Sequence, residues 1–221
     1  MGPGLTELVR NGTMSAEVAA TLAGAVEERR SFVVFAVPRL AGKTTVTEAM
    51  LARARSSEPV RVVSGAPREI SHLYAGDGRG YVVIPEISPY PVMPGYIWGE
   101  PVRRVFAVLE RGYALATALH APDAESAFDL ICTENGVSDE EASRIRLAIY
   151  IRSLGAWQQP RRRVVEAVHE VDGVAGGRPR LRALHRWDRA TDRFVTVNAP
   201  TIVRAERWSE LAKELAETAS A

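Results

Sequence analysis

The stretch Ser31-Phe-Val-Val-Phe-Ala-Val-Pro-Arg-Leu-Ala-Gly-Lys-Thr-Thr45 constrains the fold more than any other part of this chain. A short apolar run of this kind reads as a strand buried on both faces. It breaks at Pro38, passes through Ala41-Gly42-Lys43-Thr44-Thr45, and enters a helical segment from Val46 to Arg55. Strand, tight loop and helix N-terminus in that order are the layout of a phosphate-binding P-loop. The main chain of Pro38, Arg39, Leu40, Ala41, Gly42, Lys43, Thr44 and Thr45 would form the cradle, although Pro38 has no N–H to donate. Lys43 would reach the β- and γ-phosphates of a nucleotide, and the Thr44 hydroxyl would hold a bridging Mg2+. A plain strand-loop-helix turn that happens to contain Gly-Lys-Thr-Thr is the other reading of the same residues.

Two details sharpen the choice. Of 28 basic residues only Lys43 and Lys213 are lysines, so a lysine beside Gly42 and Thr44 marks a place that needs a slim, flexible ammonium rather than a planar fork. Against this, the pattern G-x-x-x-x-G-K-[ST] places its first glycine where Val37 stands. A β-branched residue does not easily take a positive φ, so the loop must bend differently.

A chain of 221 residues, 46% hydrophobic and 25% charged, suits a globular protein with a substantial core. Net charge of +1 argues against a nucleic-acid or membrane-surface protein that works by overall attraction. One cysteine, Cys132, excludes an internal disulfide framework and reads as a small buried hydrophobe. No basic-then-apolar leader and no membrane-length apolar run is apparent, which predicts a cytoplasmic protein, peripheral to a membrane only through partners.

The spacing predicts two short lead-in helices within residues 5–30, with Ser15 starting the second. Val60–Val63 and Tyr81–Ile84 read as buried strands, and Pro89–Pro101 as a packed loop rich in proline and aromatics. Helices are expected over 102–111, 124–134 and 139–150, with a strand over 113–119. Strands alternating with helices predict an α/β domain with a mostly parallel sheet. After Trp157 the pattern changes to strands at Arg163–Val171, Leu181–Trp187 and Arg193–Val197, then an amphipathic helix from Glu206 to Thr218. This divides the chain into residues 1–157, an NTPase core with its helical lead-in at 1–30, and residues 158–221, a β-hairpin and helix packed on it. Arg161-Arg162-Arg163 interleaves with acidic residues and reads as a solvated hairpin face.

Ligands of open α/β sheets sit beyond the carboxyl ends of the strands. Glu86 and His120 follow two of those ends. Glu86 is a candidate for the Mg2+ shell or for orienting water, and His120 for sensing the γ-phosphate. A turn-capping glutamate and a half-buried histidine are the alternatives.

The order of helix pair, P-loop, strand with Glu86, and Ala118-Leu-His-Ala-Pro-Asp-Ala124 resembles the type II/type IV secretion and tight-adherence pilus ATPases. The resemblance implies a RecA-like P-loop core that binds ATP and Mg2+, Glu86 in the Walker B position and His120 in the histidine box. It also implies a homo-oligomeric ring and secretion or pilus assembly proteins as partners. The chain departs from the family at Val37 and Leu40, where the family has glycines. It departs again at Ser64-Gly65, where the family has a water-activating glutamate; Glu69 is the nearest carboxylate. Arg68 and Arg79 are the candidates for reaching a neighbour's nucleotide, Ile87-Ser88 stands where an arginine is usual, and the family's large N-terminal domain has no counterpart in these residues. A nucleotide-binding ATPase with weak hydrolysis, a catalytically inactive structural or regulatory relative, and a small-molecule kinase therefore all remain open. The kinase reading lacks an obvious basic lid.

Overall fold

The computed structural model describes residues 2–37, 40–54, 58–90, 94–156 and 158–221. Pro38, Arg39, Arg55, Trp157 and residues 91–93 of the proline-rich loop lie outside the described residues.

The apolar run forms β1 (Ser31–Val37), and its alternating side chains serve two separate cores. Phe32, Val34 and Ala36 face one side, where α1 (Leu5–Arg10), α2 (Ala16–Glu27), α3 (Lys43–Leu51) and α8 (Ala205–Ser220) pack. Val33 and Phe35 face the other, against α4 (Pro67–Ala75), α5 (Glu100–Val108) and α6 (Ala124–Asp129). Phe32 to Phe35 are at most 1% exposed. Burial of roughly 2 kcal/mol per large side chain on both faces pins this strand, and therefore the point where the following loop begins.

One sheet runs through the protein in the order β2-β3-β5-β1-β6-β7-β8-β9, with β4 paired to β3. β2 (Val60–Val62), β3 (Tyr81–Ile87), β4 (Tyr96–Ile97), β5 (Ala114–Leu119) and β1 are parallel, and β6 (Ile145–Ala156) joins β1 in parallel. β7 (Gln159–Ala175), β8 (Arg178–Asp188) and β9 (Arg193–Thr196) then extend the sheet as an antiparallel meander. Residues 158–221 thus add strands to the same sheet and return α8 across α2. Among the described residues no helix is long and apolar enough to cross a membrane.

α2 is buried almost all round because it lies between the sheet and α8. Its alanines keep it slim, and Gly24 allows contact with the segment before α8: a Cβ there would stand 2.5 Å from a Val203 methyl. Ser15 caps the helix by accepting from the Val18 N–H at 3.3 Å.

The expected helix over 139–150 is corrected. Only α7 (Asp139–Ala142) is helical, with Ser138 in a capping box with Glu141, and the rest is β6. Leu147, Ile149 and Ile151 are fully buried in one core, Ala148 and Tyr150 between them face the other, and Ile145, before a register shift, joins that second core. That is a period of two, and the vacant flank of β1 decides it in favour of a strand. α4 went unassigned in the sequence, although Pro67 at its first turn and Glu69 are start signals.

Candidate functional site

β1 delivers the chain to the loop at the carboxyl edge of the sheet. Val37 is 45% exposed and lines a hollow with Ile87, Trp98 and His120. The lining of the cleft at the head of α3 is a different set: Leu40, Lys43, Thr44, Glu86, His120 and Arg163 are among it. Leu40 takes the positive φ, at 65°, that a glycine would take at no cost. For a side-chain-bearing residue this costs about 1 kcal/mol. Gly42 sits at the N-cap of α3 with φ 99°, which favours glycine, and a Cβ there would come within 2.8 Å of Arg163 Cδ, so a side chain would also have to displace the arginine. The first helical bond runs from Val46 N–H to the Gly42 carbonyl at 3.1 Å. The opening amides of α3 precede that bond and carry the positive end of the helix into the cleft.

Three strand ends converge there. Lys43, only 7% exposed, places Nζ 3.4 Å from Glu86 Oε2 and 3.3 and 3.2 Å from His120 Nδ1 and Nε2. Glu86 lies within β3, 6% exposed, and its Oε1 is 3.1 Å from His120 Nε2. His120 follows β5, and its Nδ1 is 3.2 Å from the Ala36 carbonyl of β1. Burial pushes the Glu86 carboxyl upward. The hydrogen bond to His120 and the Lys43 charge together outweigh burial and hold it below the ordinary carboxylate range. Thr44 is exposed at the start of α3, and the cleft has a volume of about 330 Å³.

The structure therefore brings together Leu40, Ala41, Gly42, Lys43, Thr44, Thr45, Glu86 and His120; Pro38 and Arg39 lie outside the described residues. Glu69 is engaged elsewhere. Its carboxylate accepts from Ser64 N–H at 2.8 Å, Ser64 Oγ at 2.7 Å and Ala66 N–H at 3.2 Å, so it caps the α4 entry. Arg79 pairs with Asp77 at 3.3 Å. Two members of the arginine triplet, in a stretch that is largely exposed, reach across to other parts of the chain. Arg162 donates to the Gly12 carbonyl at 2.9 Å and pairs with Asp192 at 2.8 Å, whereas Arg163 Nε donates to the Leu40 carbonyl at 2.9 Å. Tyr96, from the short strand β4, also lines the cleft. Neither Arg163 nor Tyr96 carries a local signal, because both reach the cleft only through sheet pairing.

The crystal structure of the VirB11 ATPase from the Brucella suis type IV secretion system, in complex with sulphate, superposes with a TM-score of 0.52 at 14% identity. That match covers 74% of this chain and 55% of that one. The fold is that of a type IV secretion ATPase. The Legionella pneumophila ATPase DotB matches with a TM-score of 0.50 at 13% identity, over 100% of this chain and 56% of that one. The chain spans about half the length of these solved ATPases. No protein-family model matches the chain, and no curated protein sequence does. The likeness to secretion ATPases thus lies in the path of the backbone. In that fold, the cleft at the head of α3 stands at the carboxyl ends of β1, β3 and β5.

Proposed function

We propose that this chain is a nucleotide-binding P-loop domain of the secretion and pilus motor kind, taking Mg-ATP at residues 38–45 and hydrolysing it slowly. One observation carries the reading: a buried lysine heads α3 between an acidic and an imidazole side chain that come from two other strand ends. The Lys43–Glu86 contact is 3.4 Å, and phosphate oxygens would compete with Glu86 for the ammonium.

The residues present fit the nucleotide and its metal. The amides opening α3 and the left-handed Gly42 make a concave donor set. Thr44 and Glu86 would hold Mg2+. Among the described residues no group of three or more His, Cys, Asp or Glu forms a metal site, which suits a cation that takes most of its ligands from phosphate and water. Mg2+ would supply neutralisation of the phosphoryl oxygens. Lys43 would hold the β- and γ-phosphates, Glu86 would orient water or the metal shell, and His120 would respond to the γ-phosphate. A homo-oligomeric ring, secretion or pilus assembly proteins as partners, and a cytoplasmic location complete the proposal.

A second reading, a relative that binds nucleotide without turning it over, is favoured by Glu69. The nearest carboxylate beyond β2 is tied to Ser64 and Ala66 and leaves no water-positioning acid there. Calorimetric titration with Mg-ATP and a phosphate-release assay on wild type and Lys43→Ala separate the cases. Binding with slow turnover, both lost in Lys43→Ala, supports the first reading. Binding without turnover selects the second, phosphate transfer to an added acceptor points to a kinase, and no binding by wild type sinks all three.

A further inference from the structure

We propose that Arg163 is an additional phosphate-binding side chain of this cleft, delivered in cis from β7, which exchanges the Leu40 carbonyl for the terminal phosphate of the nucleotide. The inference rests on the nucleotide-binding reading and adds to it a residue outside the loop and the strand ends.

Arg163 sits opposite Ser153 in the β6–β7 pair, one strand beyond the parallel part of the sheet. Its side chain crosses to the loop, where Cδ fills the space a side chain at Gly42 would need and Nε donates to the Leu40 carbonyl at 2.9 Å. It lines the same cleft as Lys43, Thr44, Glu86 and His120.

Three other arginines of this region have carboxylates. Arg152 pairs with Glu166, Arg162 with Asp192 at 2.8 Å and Arg182 with Glu170 at 3.1 Å. Among the described residues Arg163 has no such partner, and its one hydrogen bond engages Nε and leaves both terminal nitrogens of the fork. An exposed guanidinium in that state beside a loop of amides matches phosphate geometry.

Charge balance points the same way. Glu86 offsets Lys43 at 3.4 Å, so those two side chains bring little net positive charge to a polyanion. Arg163 supplies the missing charge. It also accounts for the unusual loop: Leu40, left-handed where a glycine is expected, presents its carbonyl to the Arg163 guanidinium.

The test is calorimetric titration of Mg-ATP and Mg-ADP into wild type, Arg163→Ala, Arg163→Gln and Lys43→Ala. The glutamine variant retains an N–H donor for the Leu40 carbonyl but carries no charge. Both Arg163 variants are expected to lose roughly ten- to a hundredfold in ATP affinity, and less in ADP affinity. Wild-type ATP affinity in Arg163→Gln would show that the arginine only props the loop and would overturn the proposal. Equal losses for ATP and ADP would overturn the assignment to the terminal phosphate. If wild type binds neither nucleotide, the nucleotide-binding reading itself fails and this inference falls with it. That outcome is distinct from a wild type that binds while the Arg163 variants bind equally well.

Discussion

Two polar clusters in this protein are taken out of water in opposite ways. At the cleft, Lys43, Glu86 and His120 are held by contacts of 3.1 to 3.4 Å, and His120 keeps about a third of its side-chain surface open. Beneath α8, His185 is 2% exposed and lies 2.8 Å from Thr21 Oγ1 and 3.2 Å from Thr196 Oγ1. Thr21 also accepts from the Trp208 indole N–H at 2.9 Å. The first cluster carries formal charges and sits at a mouth. The second is sealed and built of neutral groups. Charges at an opening exchange partners readily when a charged ligand arrives, whereas a satisfied neutral network under a helix holds that helix in one place.

Acid should separate the two clusters most strongly. Burial pushes the His185 imidazole down to about 4, against an ordinary value near 6.5. The unfolded chain therefore binds a proton between these values that the folded chain refuses. The His185 contribution is full above pH 6.5 and falls toward pH 4 by about 3 kcal/mol, a loss that urea unfolding at pH 7, 5.5 and 4.5 would trace and that His185→Gln should reduce, leaving the part due to His169, which burial also pushes down. Glu86 is shifted in the same direction, but from the carboxylate range. Its contribution is present above about pH 4.5 and is lost only below that, so the two limbs lie in different windows. If the loss between pH 6.5 and 4.5 persists in full in His185→Gln, the sealed cluster is not its source.

Lys43→Ala comes next. Nucleotide affinity should fall about a hundredfold, roughly 2.7 kcal/mol, and the midpoint of urea unfolding at pH 7 should fall as well, because the buried Glu86 carboxylate then keeps only His120 beside it. A large stability loss with unchanged binding would make the cleft cluster structural and erase the contrast. Thr21→Val, isosteric but without the hydroxyl, leaves His185 Nε2 without its partner, while the Trp208 N–H keeps the Glu17 carbonyl at 3.2 Å. It should lower stability by about 2 kcal/mol with no effect on nucleotide binding. The smallest effect is expected from Arg207→Ala, which removes the paired contacts to Glu27 at 2.8 and 2.9 Å between α8 and α2. The pair is partly solvated, so a drop of about 0.5 kcal/mol is expected, fading in high salt.

The parts of the site that are continuous in sequence were readable in advance. Gly42, Lys43 and Thr44 follow a buried strand and open a helix, and Glu86 and His120 stand at the ends of apolar runs. Only the convergence of the three strands was needed to bring them together. β6 is hard to read in the sequence because Glu140 to Ala142 continue a good capping box, and local helix propensity masks the alternation of Leu147, Ile149 and Ile151. Glu69 looked available as an acid and is a cap, since its two serine contacts depend on how β2 meets α4. Arg163 looked like one member of a solvated triplet. Residues 162 and 163 point to opposite faces of β7, and what lies across each face is set by strand order.

By itself the sequence determined the strand-loop-helix unit, the alternation of strands and helices, and the chemistry at each strand end, because these depend on hydrophobic period and on neighbours a few residues away. Tertiary structure alone decided that β6 fills the flank of β1, that Lys43 turns inward to Glu86 and His120, and that an arginine more than a hundred residues downstream rests on the loop. Each of those outcomes follows from which strands lie side by side. That ordering is selected by burial summed over the whole sheet, a quantity that no local stretch of residues contains.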